Sequence, residues 1–155
     1  MFLLLFLCNG EIMKAKLIVA ISLLFLTVSV NAQSVLGKWK TFDDETGDAK
    51  SIVEITERNG KVYGKVIKLL DPKKANMKCK DCPGADKDKP VVGIEVLKRL
   101  SKNGDKYDGG KILDPASGKV YKCNIQLDGK NTLKVRGYIG FAALGRTQTW
   151  KRAED

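Results

Sequence analysis

The sequence predicts an all-β domain, a small antiparallel up-and-down barrel of about eight strands. Three observations predict it. Apolar and polar residues alternate with period two in short runs, most clearly at Tyr121, Cys123, Ile125 and Leu127 against Val120, Lys122, Asn124 and Gln126. Turn signals separate the runs at short intervals. After residue 32 no helical period of useful length appears, apart from a turn around Ala142–Leu144.

The first strand is expected over Val35–Phe42, closed by the turn Asp43-Asp44-Glu45-Thr46-Gly47. Ser51–Glu57 follows, and Asn59-Gly60 is a strong hairpin signal because both residues tolerate positive φ. Lys61–Leu70 returns. Beyond a long interruption come Gly93–Leu100, the turn Lys102-Asn103-Gly104-Asp105, and Tyr107–Leu113. Asp114-Pro115-Ala116-Ser117-Gly118 carries the residues of a type I turn with a glycine bulge. Lys119–Leu127, the turn Asp128-Gly129-Lys130-Asn131, Thr132–Ile139 and Arg146–Lys151 complete the set. One face of each strand is apolar and the other polar, as in antiparallel sheets with one wet face. Closure removes the edge strands, which favours a barrel over the alternative, a two-sheet sandwich.

The N-terminus predicts export. From Met13 the chain reads Lys14 and Lys16, an apolar run from Leu17 to Val30, and Val30-Asn31-Ala32 before Gln33. That order is a basic region, an apolar region and a small-residue cleavage site, so residues 1–32 read as a signal segment cut after Ala32. As a helix the run would span about 21 Å against roughly 30 Å of hydrocarbon, too short for an anchor. Bulky Phe6 and Leu7 before Cys8 argue against lipidation, and residues 1–12 read as an upstream mis-start with Met13 as initiator.

Removing residues 1–32 from 155 leaves 123, enough for one domain with a single core. Lys+Arg falls from 28 to 26 and Asp+Glu from 18 to 17, so the remaining net charge is +9. The lysines are interleaved with acids, without an arginine cluster or an aromatic-rich basic strip, so no nucleic acid is expected as partner. The chain has no histidine, which removes Ser-His-Asp and Cys-His nucleophile systems and His-containing metal sites.

Asp71–Pro90 breaks the rhythm with Pro, Lys, Asp and Cys and little to bury; a loop this long reads as a lid, a binding loop or a surface insertion. It holds Cys79 and Cys82, while Cys123 lies on a strand at an inward position. A redox pair needs a helix N-terminus in a βαβ setting, which is lacking here, and zinc would need a fourth ligand beyond three thiolates. A structural disulfide fits the exported compartment. Chain entropy gives about 2 kcal/mol for closing Cys79–Cys82 and about 4 kcal/mol for either one with Cys123. The larger value favours Cys123, its inward mid-strand position opposes it, and the pairing stays open.

Gly109-Gly110-Lys111-Ile112-Leu113-Asp114-Pro115, Gly118-Lys119-Val120-Tyr121-Lys122-Cys123, Val135-Arg136-Gly137-Tyr138 and Gly145-Arg146-Thr147-Gln148-Thr149-Trp150 form a distinctive series. With Gly37-Lys38-Trp39 and the C-x-x-C, it resembles the secreted bacterial family called domain of unknown function 2147, across nearly all of the chain after residue 32. Tyr107 stands where that family carries a tryptophan before the Gly-Gly. The family has no assigned activity, so the resemblance implies fold and export alone. A weaker likeness is to lipocalin-like barrels, which pack a first-strand tryptophan under a late basic side chain. By that likeness Gly37, Trp39, Arg146 and Arg152 would close one end, by cation–π contact and buried area.

For a ligand, the candidates are Tyr107, Tyr121, Leu133, Val135, Gly137, Arg146 and Gln148. Asp108 and Asp114 do not read as a catalytic dyad, since one adjoins a Gly-Gly bulge and the other opens a turn. The functional expectation is a non-enzymatic envelope protein, periplasmic or secreted, without cofactor or metal, holding a small apolar ligand in or at the mouth of the barrel. Its rivals are a structural or protein-binding module with a side-chain-filled barrel and the Asp71–Pro90 loop as contact surface, and a thiol enzyme using Cys79 and Cys82.

Overall fold

A computed structural model describes residues 33–154. The signal segment, Met13, Cys8 and the cleavage site lie outside the described residues. Eight strands run in chain order: β1 (Gly37–Phe42), β2 (Ala49–Arg58), β3 (Lys61–Leu69), β4 (Glu95–Asn103), β5 (Lys106–Leu113), β6 (Val120–Leu127), β7 (Thr132–Tyr138) and β8 (Arg146–Arg152). Each pairs antiparallel with the next, and β1 pairs with β8 through Trp39↔Arg152 and Lys40↔Lys151. The sheet is a closed barrel, not a sandwich. The helical pieces among the described residues are short 3-10 turns at Pro72–Lys74, Gly84–Asp86 and Ala142–Leu144.

Period-two alternation fixes what faces inward. On β1 and β2 the buried residues are Trp39, Thr41, Ser51, Val53 and Ile55; on β6 and β7 they are Cys123, Ile125, Leu133 and Val135. β4 departs from strict alternation: Val96, Leu97 and Leu100 are all buried, and Arg99 has φ +60°. An extra residue in one strand of a pair does this, re-aiming the side chains that follow.

The connections sort by length. The turns between β2 and β3, β4 and β5, and β6 and β7 are short and lie at one end. The other end carries residues 43–48, 70–94, 114–119 and 139–145. The long segment is better buried than its composition suggests. Cys79, Cys82, Val91 and Ile94 belong to the core, and Met77 packs against it. Lys98 Nζ on β4 meets Asp86 Oδ2 at 2.5 Å. Gly118, at φ +70°, lies so close to the backbone carbonyl of Asp81 that a Cβ there would collide with it. The loop is therefore fastened over the long-loop end rather than left as a mobile insertion.

Candidate functional site

The short-turn end is plugged. Trp39 is fully buried and its Nε1 donates to the Val35 carbonyl at 2.7 Å. The Arg152 guanidinium lies 4.2 Å from the centre of the Trp39 ring system. It donates to the carbonyls of Ser34 (2.7 Å), Leu36 (3.1 Å) and Lys130 (3.2 Å), tying the segment before β1 to the β6–β7 turn. Gly37 adopts φ +112°, and a Cβ there would sit 3.2 Å from an Arg152 nitrogen, so glycine serves both the turn and the approach. Above the plug, Ile55, Val62, Leu100, Ile125 and Leu133 are fully buried and fill the lower barrel.

The upper half is hollow. A cavity of about 620 Å³ opens between the long loops, a volume within the usual range for small-molecule sites. Its apolar lining includes Val53, Val66, Val96, Val135 and Trp150, with Ile112, Tyr121 and Gly137 higher on the wall. The buried hydroxyls of Thr41 and Ser51 share one hydrogen bond of 2.7 Å. Two hydroxyls joined by one bond retain one further proton to donate.

A polar chain climbs the wall beside them. Trp150 Nε1 donates to Gln148 Oε1 (3.3 Å), Gln148 Nε2 donates to Asp44 Oδ2 (2.6 Å), and Arg146 pairs with that oxygen at 3.0 Å. The rim also carries Asp43, Glu45, Asp48, Asp71 and Asp114, with Lys50 and Lys74. The backbone N–H groups of Thr46 and Glu45 donate to the Asp43 carboxylate, holding its pKa below the ordinary value.

Five of the ligand candidates, Tyr121, Val135, Gly137, Arg146 and Gln148, line this cavity. Tyr107 and Leu133 do not. Tyr107 pairs with Lys102 and Ile125 toward the plugged end, and Leu133 is sealed into the filled lower half. Inward direction was legible for Leu133, but its height along the axis was not. Arg146 is likewise no part of the plug: it stands at the opposite end of β8 from Arg152, so the closing cation is Arg152 alone. Asp108 bonds Asn103 Nδ2, while Asp114 caps its own turn through Ala116 N and Ser117 Oγ, so the two carboxylates form no pair. Thr41, Ser51 and Asp44 were missed. The first two share the parity of Trp39 and Val53, which was the available signal.

Cys79 and Cys82 are bonded to each other, and Cys123 is free. Cys123 sits mid-strand between Gly110 and Gly137, inside the core. Burial pushes its thiol up to about 12. At pH 8 that leaves on the order of one thiolate in ten thousand. Iodoacetamide should leave Cys123 unmodified in the folded protein and modify it within minutes in denaturant, as read by intact mass; rapid labelling of the native state would contradict this burial. Among the described residues no cluster of His, Cys, Asp or Glu could hold a metal ion.

A closed eight-stranded antiparallel barrel, plugged beneath a first-strand tryptophan and open at the long-loop end, is a lipocalin-like barrel. The chain belongs to the family described as an uncharacterized protein conserved in bacteria, domain of unknown function 2147, which matches residues 37–152. It is similar to a solved structure described as a protein from the human pathogen Helicobacter pylori that belongs to the lipocalin family. The two share 29% identity over 79% of this chain and 84% of that one, with a TM-score of 0.69. No curated protein matches the chain.

Proposed function

We propose that this is an exported, non-enzymatic binding protein that holds one small, mostly apolar molecule in the upper half of its barrel. The observation that carries the reading is the contrast within one lumen: a sealed lower half beneath a 620 Å³ cavity with a valine and tryptophan lining. Burying an apolar ligand against such walls yields roughly 25 cal/mol per Å² removed from water. The Thr41–Ser51 pair offers one internal polar contact, and the charged rim meets whatever polar end the ligand turns outward. A large polar cargo fits neither the lining nor the volume.

Export is supported by the order of basic, apolar and small residues before Gln33, together with the Cys79–Cys82 bond, a linkage at home in oxidising compartments. Among the described residues no helix is long and apolar enough to cross a membrane. The second reading, a protein-interaction module, is favoured by the filled lower barrel and the fastened 71–90 segment. A thiol enzyme is disfavoured because Cys79, Cys82 and Cys123 are all buried.

Native mass spectrometry of the protein purified from its own host tests the proposal. The expected species begins at Gln33 and carries a small molecule that leaves on mild activation. A co-purifying protein with an empty barrel would favour the interaction module, and a species retaining Lys14 and Lys16 would refute cleavage.

A further inference from the structure

The large hydrophobic side chains exposed on the described surface are Val92, Val120, Ile139, Phe141 and Leu144, and all five lie at the long-loop end. Three belong to the β7–β8 connection, where Ile139, Phe141 and Leu144 are 74%, 79% and 82% exposed. A soluble domain rarely presents contiguous apolar tips without a use for them. This connection is also firmly held. Arg136 on β7 donates through Nε to the Ala142 carbonyl (2.7 Å), through one terminal nitrogen to Ala143 O (3.1 Å) and through the other to Thr147 Oγ1 (2.7 Å). The apolar tips are thus displayed on a braced turn rather than on a slack loop.

The surface beside the tip supplies charge. Lys111, Lys122 and Tyr138 occupy one row across β5, β6 and β7, through the pairs Lys111↔Lys122 and Lys122↔Tyr138. Exposed Val120 stands two residues nearer the open end than Lys122, with Lys119 next to it. No carboxylate among the described residues pairs with Lys111, Lys119 or Lys122. On the other flank of the tip, across β8 and β1, lies the acidic turn Asp43–Asp48. Apolar points at the extremity, an aromatic residue behind them and cations at the next level match the layers of a bilayer interface.

We propose that this end of the barrel docks on an anionic phospholipid surface. Ile139, Phe141 and Leu144 enter the acyl boundary, Lys111, Lys119 and Lys122 meet the phosphates, and the acidic turn tilts away. The inference goes beyond the ligand reading and does not require it, since the tip and the lysines lie outside the lumen.

The test is co-sedimentation of the processed protein, purified from its own host, with phosphatidylcholine vesicles with and without phosphatidylglycerol. Salt-sensitive binding is expected with the anionic vesicles only. Phe141→Ser with Leu144→Ser should weaken it at least about tenfold, by the apolar area no longer buried. Lys111→Gln with Lys122→Gln should weaken it by about tenfold or more, at roughly fivefold for each lysine near the surface. Lys65→Gln, on the far side of the barrel, should change nothing. A Phe141→Trp variant should shift its emission to the blue on binding. All these side chains are exposed, so the fold is not at stake. Absence of binding to anionic vesicles, or binding unchanged in the Phe141→Ser, Leu144→Ser variant, would overturn the proposal. A concentration-dependent dimer that this variant abolishes, without vesicle binding, would overturn it too and assign the tip to a second copy of the chain.

Discussion

Replacing Trp39 with alanine should destabilise the barrel by about 3–5 kcal/mol, the range for removing a large aromatic side chain from a sealed site. A fall in Tm on the order of 15 °C would accompany it. The position concentrates several losses. The side chain is fully buried, its indole N–H is bonded to Val35, and its ring carries the Arg152 guanidinium. Without the ring, Arg152 keeps its carbonyl partners but loses the surface that aligns it with them. Trp39→Phe should cost distinctly less, since it keeps much of the area and forfeits the hydrogen bond. Urea unfolding of both variants checks the order. Equal midpoints for Trp39→Ala and the native protein would mean that the plug does not hold the barrel closed.

Substituting Gly137 with leucine should abolish ligand retention while leaving the protein folded. A Cβ at this position would meet Ile112 Cγ2 at 3.4 Å and Tyr121 Cβ at 3.6 Å, ordinary contacts that need no rearrangement. The remaining atoms of the leucine would enter the hollow upper half, where Gly137 lines the wall. Binding of a neutral naphthylamine probe, followed by fluorescence, should fall at least tenfold, with the unfolding midpoint nearly unchanged. Retained probe binding in a folded variant would move the site away from the lumen. A variant that fails to fold would show that the space is already packed, where added methylenes cost about 1–3 kcal/mol.

The strands were legible because each has a wet face and a dry face, so the alternation survives in the order of residues. The expected Lys119–Leu127 became Val120–Leu127, and Thr132–Ile139 became Thr132–Tyr138. Turn residues fixed the connections by their backbone preferences, which are local. The roles of Arg146 and Arg152 were less legible. Both sit on β8 with the same parity, and a residue pattern of period two carries no mark of height along the barrel. Six residues of strand separate them by about 20 Å, enough to put one at the rim and the other in the plug. Leu133 misled in the same way, being inward but below the cavity floor.

By itself, then, the sequence determined the strand count, the hairpin order and, outside β4, the inward parity. All follow from nearest-neighbour chemistry along one chain. Only the tertiary structure decided that Cys79 pairs with Cys82, that Asp44 links Gln148 to Arg146, and that the barrel is filled below and hollow above. Those depend on which side chains from several strands share a layer, and on the volume they leave between them. That sum is taken across the barrel, at right angles to the direction in which the sequence is read.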